Sequence, residues 1–185
     1  MKLKEIKEYI KSDLYRYTGE ISFKIAFRNY FLNRGFKYTF WLRLCKSDVR
    51  LVRFIARVIH WRLSRKYLIQ IPHNIKAGYG LYLGHHMCVI VNGTAIIGNN
   101  VNLSQFTTIG ANTGDAAIIG DNVYIGPGCC IVGNVHISDN STVGAGSVVV
   151  KDVESNTTVA GTPAKCISSK EPGRYVNRRW FKHEQ

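Results

Sequence analysis

The sequence predicts a mainly β protein, a parallel β-helix of hexapeptide repeats preceded by an α-helical segment. Three observations predict it. An aliphatic residue recurs every six positions through the middle of the chain. Asn, Gly or Asp stands three residues after almost every one of them. The charge lies outside this region, so the middle and the ends read as different kinds of structure.

Self-similarity at a fixed period is the mark of a solenoid. Nine hexads start at Ile97, Leu103, Ile109, Ile119, Ile125, Ile131, Ile137, Val143 and Val149, all aliphatic. Their fourth positions are Asn100, Phe106, Asn112, Asn122, Gly128, Asn134, Asn140, Gly146 and Asp152. All but Phe106 are residue types that tolerate a left-handed backbone. Each hexad therefore reads as a short strand ending in a corner. Four extra residues interrupt the frame before Ile119. Upstream, Ile71, Ala77, Leu83 and Val89 start less regular hexads, with two extra residues placed before Ile97. Thirteen hexads in all wind a triangular prism, three to a coil, with one inward aliphatic per face. A β-sandwich would instead show longer strands with period-two alternation.

The helical segment comes first. Residues 1–70 carry 17 Lys and Arg against 5 Asp and Glu, residues 71–167 carry 3 against 5, and residues 168–185 carry 5 against 2. The composition divides the chain into a basic helical segment (1–70), the β-helix (71–167) and a basic tail (168–185). Segments near Ser22–Asn33, Phe36–Cys45 and Asp48–Tyr67 read as helices. In the last, Arg50, Arg53, Arg57, His60 and Ser64 form a polar stripe on an otherwise apolar surface. One reading packs the helix against the β-helix and neighbouring subunits, with Arg toward solvent. The other is a basic amphipathic surface at an anionic membrane. Nucleic acid has charge alone in its favour and is not expected as a partner.

With 185 residues and 45% hydrophobic content, the chain is long and apolar enough to bury a core. No apolar run of about 18 residues suggests a membrane span. The first residues lack the apolar centre of a secretion signal, so a cytoplasmic protein is expected, with the inner face of the membrane as a place of action. The five cysteines form no CxxC pair and read as reduced thiols, so neither a disulfide framework nor a metal site is expected.

Four segments carry a resemblance: Leu83-Gly84-His85-His86, Gly93-Thr94-Ala95-Ile96-Ile97-Gly98, Val143–Val149, and Val159-Ala160-Gly161-Thr162-Pro163-Ala164-Lys165. Over about residues 71–167 the chain resembles the left-handed β-helix acyltransferases. Within these it is most similar to the serine acetyltransferase branch and the related O-acetyltransferases of surface-polysaccharide synthesis. The resemblance implies a left-handed coil, a homotrimer, and acetyl transfer from acetyl-CoA to a hydroxyl or amine without a metal. Two positions depart from the serine enzymes. Gly84 stands where they place Asp before the catalytic His. The Ala111–Ala117 loop lacks the His of their Asp-Arg-His-Pro-Lys-Ile segment. The tail ends Lys182-His183-Glu184-Gln185 rather than in the Ile with which those enzymes dock the next enzyme of cysteine synthesis. These departures favour a sugar hydroxyl of a bacterial surface polysaccharide as acceptor, with serine as the alternative. A non-catalytic hexapeptide scaffold is the reading from another class.

Acetyl transfer to a hydroxyl needs a base for the acceptor proton, and imidazole titrates in the right range. His85 occupies the third, outward position of its hexad and is the expected base. The adjacent His86 falls where a left-handed residue is expected. Positions three hexads apart stack, so His85, Gln105, Pro127 and Ala145 should form one column along an edge. The resemblance places Pro127 and Ala145 against the acetyl-CoA arm, with Gln105 in the same column. It also makes Lys151 and Lys165 candidates for the phosphates of CoA, which a cation suits. His86, Asn92 and Asp115 are candidates for contact with the acceptor, Asp115 also as the acidic partner of His85. Cys88 as an acyl-carrying nucleophile has no motif behind it.

Overall fold

A computed structural model describes residues 1–181; residues 182–185, on which the reading of the chain's last residues rests, lie outside the described residues. Four helices precede fourteen short strands. The helices are α1 (Leu3–Thr18), α2 (Phe23–Leu32), α3 (Arg34–Leu44) and α4 (Arg50–Tyr67). The first coil holds β1 (Lys76–Ala77), β2 (Tyr82–Leu83) and β3 (Ile90–Val91), and the second β4 (Ile96–Ile97), β5 (Asn102–Leu103) and β6 (Thr108–Gly110). The third holds β7 (Ile118–Ile119), β8 (Tyr124–Ile125) and β9 (Cys130–Val132), and the fourth β10 (His136–Ile137), β11 (Thr142–Val143) and β12 (Val148–Val149). Strands three apart pair in parallel into three sheets, β1-β4-β7-β10, β2-β5-β8-β11 and β3-β6-β9-β12. An antiparallel hairpin of β13 (Thr158–Gly161) and β14 (Ala164–Ser168) extends the second sheet past β11.

The hexad starts behave as expected. Ile97, Leu103, Ile109, Ile119, Ile125, Ile131, Ile137, Val143 and Val149 are all buried. Each contributes about 1.5–3 kcal/mol of hydrophobic stabilisation. A second inward position was not anticipated. The fifth residue of every hexad but the one that starts at Ile109 (Val101, Thr107, Val123, Cys129, Val135, Ser141, Ser147 and Val153) is also buried. It is mostly small because the prism is narrow there.

Two details of the frame differ. Val91, not Val89, pairs with Ile109 and takes the inward strand position. The two extra residues therefore lie between Leu83 and Val91, at the His85–Cys88 corner, and not between Val89 and Ile97. Left-handed residues also do not mark every corner. They recur at Asn100, Asn122, Asn140 and Asn156 and at Phe106, Gly128 and Gly146, but Asn112, Asn134 and Asp152 are not among them. The third corner varies because Gly133 takes the positive φ in one coil and the 111–117 loop replaces it in another. The asparagine corner is tied by a ladder, Asn100 to Asn122 to Asn140 to Asn156, with amide bonds of 3.1–3.2 Å.

The open end of the solenoid is an edge whose backbone groups need partners. Side chains of α1 and α3 supply them. Ser12 Oγ accepts from Gly80 N, Asp13 Oδ1 from Leu81 N, and Tyr17 Oη from Leu83 N. Arg43 donates to the carbonyls of Ala77 and Gly78, and its fork holds Asp13 at 2.9 Å through two bonds, both side chains buried. This explains why α1 escaped the sequence reading: its buried face is Ser12, Asp13 and Arg16 together with Ile6 and Leu14. Apolar periodicity cannot detect a helix whose inner face is polar.

Helix α4 follows its expected orientation only in part: Arg50 and Arg57 are exposed, but the rest of the polar stripe is not. His60 is 6% exposed against the Tyr38 ring, Ser64 bonds Tyr38, and Arg53 caps the carbonyl of Ser47. His60 and Ser64 of the polar stripe thus pack inward on α3. The apolar residues Leu51, Phe54, Ile55, Val58 and Trp61 are exposed. Among the described residues no helix is long and apolar enough to cross a membrane.

Candidate active site

The site forms where the irregular corner of the first coil meets α1 and the tail. Strand β2 ends at Leu83, whose backbone is held on both sides by the Tyr17 hydroxyl, which accepts from its N–H at 3.0 Å and donates to its carbonyl at 3.4 Å. The chain then turns through His85 and His86, both left-handed at φ 56°. The two extra residues make this turn wider than the regular corners, where one residue has positive φ. His85 is exposed and lines a cavity of about 380 Å³ with Arg16, Tyr17, Tyr82, Gly84, Asn102, Ser104, Tyr124, Tyr175, Asn177 and Arg178.

Arg16 is the structural centre of this cavity. It is buried and donates to the carbonyls of Gly80 and Asn177 and to Asn102 Oδ1 at 2.6 Å. Burial pulls its guanidinium down to about 10. The tail completes the wall: Asn102 donates to the Tyr175 carbonyl, Asn100 exchanges two bonds with Trp180, and Arg178 donates to the Tyr17 carbonyl. The Tyr175 and Tyr124 rings lie 4.9 Å apart.

A second cavity of about 590 Å³ shares Tyr124 and Tyr175 with the first, and Pro127, Gly144, Ala145, Lys170 and Arg174 line it. The two adjoin along one edge and make a groove in two parts, with Tyr124 and Tyr175 lining both. The expected column is realised in its register: Leu83, Leu103, Ile125 and Val143 align across β2, β5, β8 and β11, which stacks the residues two positions on. Pro127 and Ala145 face the groove. Gln105 holds the intermediate level, its backbone carbonyl accepting from Gly128 N and its side-chain oxygen buried without a partner.

Other candidates fall elsewhere. His86 packs against Tyr17 and the backbone of Gly35, where an added Cβ would stand 2.3 Å from its ring. Burial, then His85 and Arg34, lower its imidazole below the usual range. Asn92 lines a separate cavity on the third sheet and accepts from Thr94. Asp115 is exposed on the 111–117 loop and is not in the lining of the His85 cavity. Lys151 and Lys165 are exposed and line neither part of the groove. The cations that line the Pro127–Ala145 part are Lys170 and Arg174, the latter 3.1 Å from Glu171 in the same lining, and sequence reasoning missed both. They follow the β13–β14 hairpin, and its antiparallel return lies outside the repeat arithmetic. Cys88 is half-buried beside α4, its N–H donating to the Tyr67 carbonyl.

A hexapeptide β-helix with a groove along one corner and an imidazole in it defines the class, the hexapeptide-repeat transferases. The family described as bacterial transferase hexapeptide (six repeats) matches residues 116–151. Soybean serine acetyltransferase complexed with serine superposes with a TM-score of 0.75 at 31% identity, over 89% of this chain and 70% of that one. Serine acetyltransferase from Brucella abortus in complex with coenzyme A gives 0.72 at 29% identity, over 89% and 68%. Serine acetyltransferase 3 of Arabidopsis thaliana is 37% identical over 123 residues, 64% of this chain and 32% of that protein. The chain thus spans about a third of the length of this curated relative. The chain belongs to the serine acetyltransferase family of hexapeptide-repeat transferases.

Proposed function

We propose that the protein is an acetyl-CoA-dependent O-acetyltransferase in which His85 is the general base. The observation that carries this reading is the placement of His85 in the part of the groove that adjoins, through Tyr124 and Tyr175, the part lined by Pro127 and Ala145. Acetyl-CoA fits that groove in kind. Pro127, Gly144 and Ala145 are small residues on its wall beside Tyr124 and Tyr175, and Lys170 suits a phosphate group, as does Arg174 once released from Glu171. His85 takes the proton of the acceptor hydroxyl as its oxygen forms the new bond to the acetyl carbon. The bond from that carbon to sulfur breaks, and the imidazolium returns the proton to the departing thiolate. Binding between subunits of a homotrimer is part of the proposal, and the groove lies open on one side for it.

The named relatives favour serine as acceptor over the sugar expected from the departures at Gly84 and the 111–117 loop. A serine carboxylate would find Arg178 in the cavity. One observation keeps the sugar as a second reading: among the described residues no carboxylate lines the cavity to receive an ammonium group, whereas Tyr82, Tyr124 and Tyr175 bring aromatic rings to it. Acetyl-CoA thioester consumption with serine and with a panel of sugars and lipid-linked glycans decides. Turnover of serine alone establishes the first reading, and turnover of a glycan alone the second. Absence of turnover with every acceptor, together with no CoA binding, leaves the scaffold reading.

A further inference from the structure

Helix α2 is built of Phe23, Ile25, Phe27, Tyr30, Phe31 and Leu32, yet none of its residues is buried. Phe23 is 87% exposed, and the rings of Phe23, Phe27 and Phe31 follow one another at 6.4 and 5.0 Å along one face. Helix α4 repeats the pattern with Leu51, Phe54, Ile55, Val58 and Trp61. One turn beyond Val58 and Trp61, the same face continues in Arg62 and Arg65, and Arg65 lies 3.9 Å over the Trp61 ring. Lys24, Arg28, Arg57 and Lys66 are also exposed. Among the described residues none of these cations has a carboxylate partner.

We propose that the outer faces of α2 and α4 dock on the surface of an anionic phospholipid bilayer, with the Phe and Trp rings entering the headgroup boundary and the unpaired cations meeting lipid phosphate. Charge selects this occupant. Between Ser22 and Tyr67 there are twelve Lys and Arg and a single acid, Asp48. A second copy laid on this face would bring cation against cation, whereas an anionic headgroup layer complements both the rings and the charge. The proposal is independent of the acceptor and of the chemistry at His85.

The test uses the full-length protein in co-sedimentation with vesicles of phosphatidylcholine, with and without phosphatidylglycerol. Binding is expected to the mixed vesicles only. It should fall as salt shortens the screening length from about 30 Å at 0.01 M to about 3 Å at 1 M. The combined variant Phe23→Ser, Phe27→Ser, Phe31→Ser and the pair Phe54→Ser, Trp61→Ser should each weaken binding at least about tenfold. Arg62→Gln with Arg65→Gln should weaken it and flatten its salt dependence. Helical content by circular dichroism reports that each variant folds. No binding to phosphatidylglycerol vesicles at low salt overturns the proposal. So does binding that survives both aromatic variants. A drop in oligomeric state in those variants, seen by light scattering, also overturns it and assigns the face to a second copy.

Discussion

His60 joins α4 to α3 without a hydrogen bond to its Nε2, 6% exposed against Tyr38. Burial, and next the charge of His73, depress its imidazole from 6.5 to about 4. The unfolded chain protonates this group at higher pH than the folded one does. Between these two values the unfolded state therefore binds more protons, and stability rises with pH. The contribution is fully present above about pH 6.5 and is lost as pH falls toward 4. At about 1.4 kcal/mol per unit, the loss approaches about 3 kcal/mol near pH 4. Urea unfolding of wild type and His60→Leu, followed by circular dichroism from neutral to acid pH, measures it. Leu keeps the apolar contact and removes the titration. The wild type should lose up to about 3 kcal/mol more than the variant between about pH 7 and pH 4. Stability curves that stay parallel would refute the assignment of this acid sensitivity to His60.

Two further substitutions test the groove and the helical cap. Ala145→Trp should abolish CoA binding, measured by calorimetry, with the fold intact, because Ala145 is exposed in the groove and not in the core; unchanged affinity would contradict the placement of the arm. Arg43→Met leaves Asp13 as a buried carboxylate without its partner and frees two edge carbonyls, so it should cost about 3–5 kcal/mol in chemical denaturation. A loss below about 1 kcal/mol would show that the cap does not depend on this pair.

The solenoid was legible because its signal is local and repeated. Ile119, Ile125, Ile131 and Ile137 announce the core, and Asn100, Asn122 and Asn140 the corner. The stacking of His85, Gln105, Pro127 and Ala145 followed from counting hexads, since a column in space is fixed by strand register, whereas the roles given to His85, Pro127 and Ala145 rested on the family resemblance. What escaped the reading has physical causes. Helix α1 hides behind polar contacts to edge backbone groups. The inward turn of His60 and Ser64 on α4 was missed because an inward His and Ser resemble a solvent stripe when only polarity is read. The extra residues near His85 were assigned to the wrong corner because Val89 and Val91 are both aliphatic and both buried. Lys170 and Arg174 reach the groove through the β13–β14 hairpin and the returning tail, which lie beyond the repeat.

The central claim is acetyl transfer with His85 as base, and one comparison tests it most directly. Steady-state release of CoA thiol from acetyl-CoA is measured for wild type and His85→Ala with the acceptor that the panel identifies. The account predicts that kcat falls by at least about a hundredfold in a variant that still folds and still binds CoA, as loss of a general base requires. Equal turnover by the two proteins would contradict it.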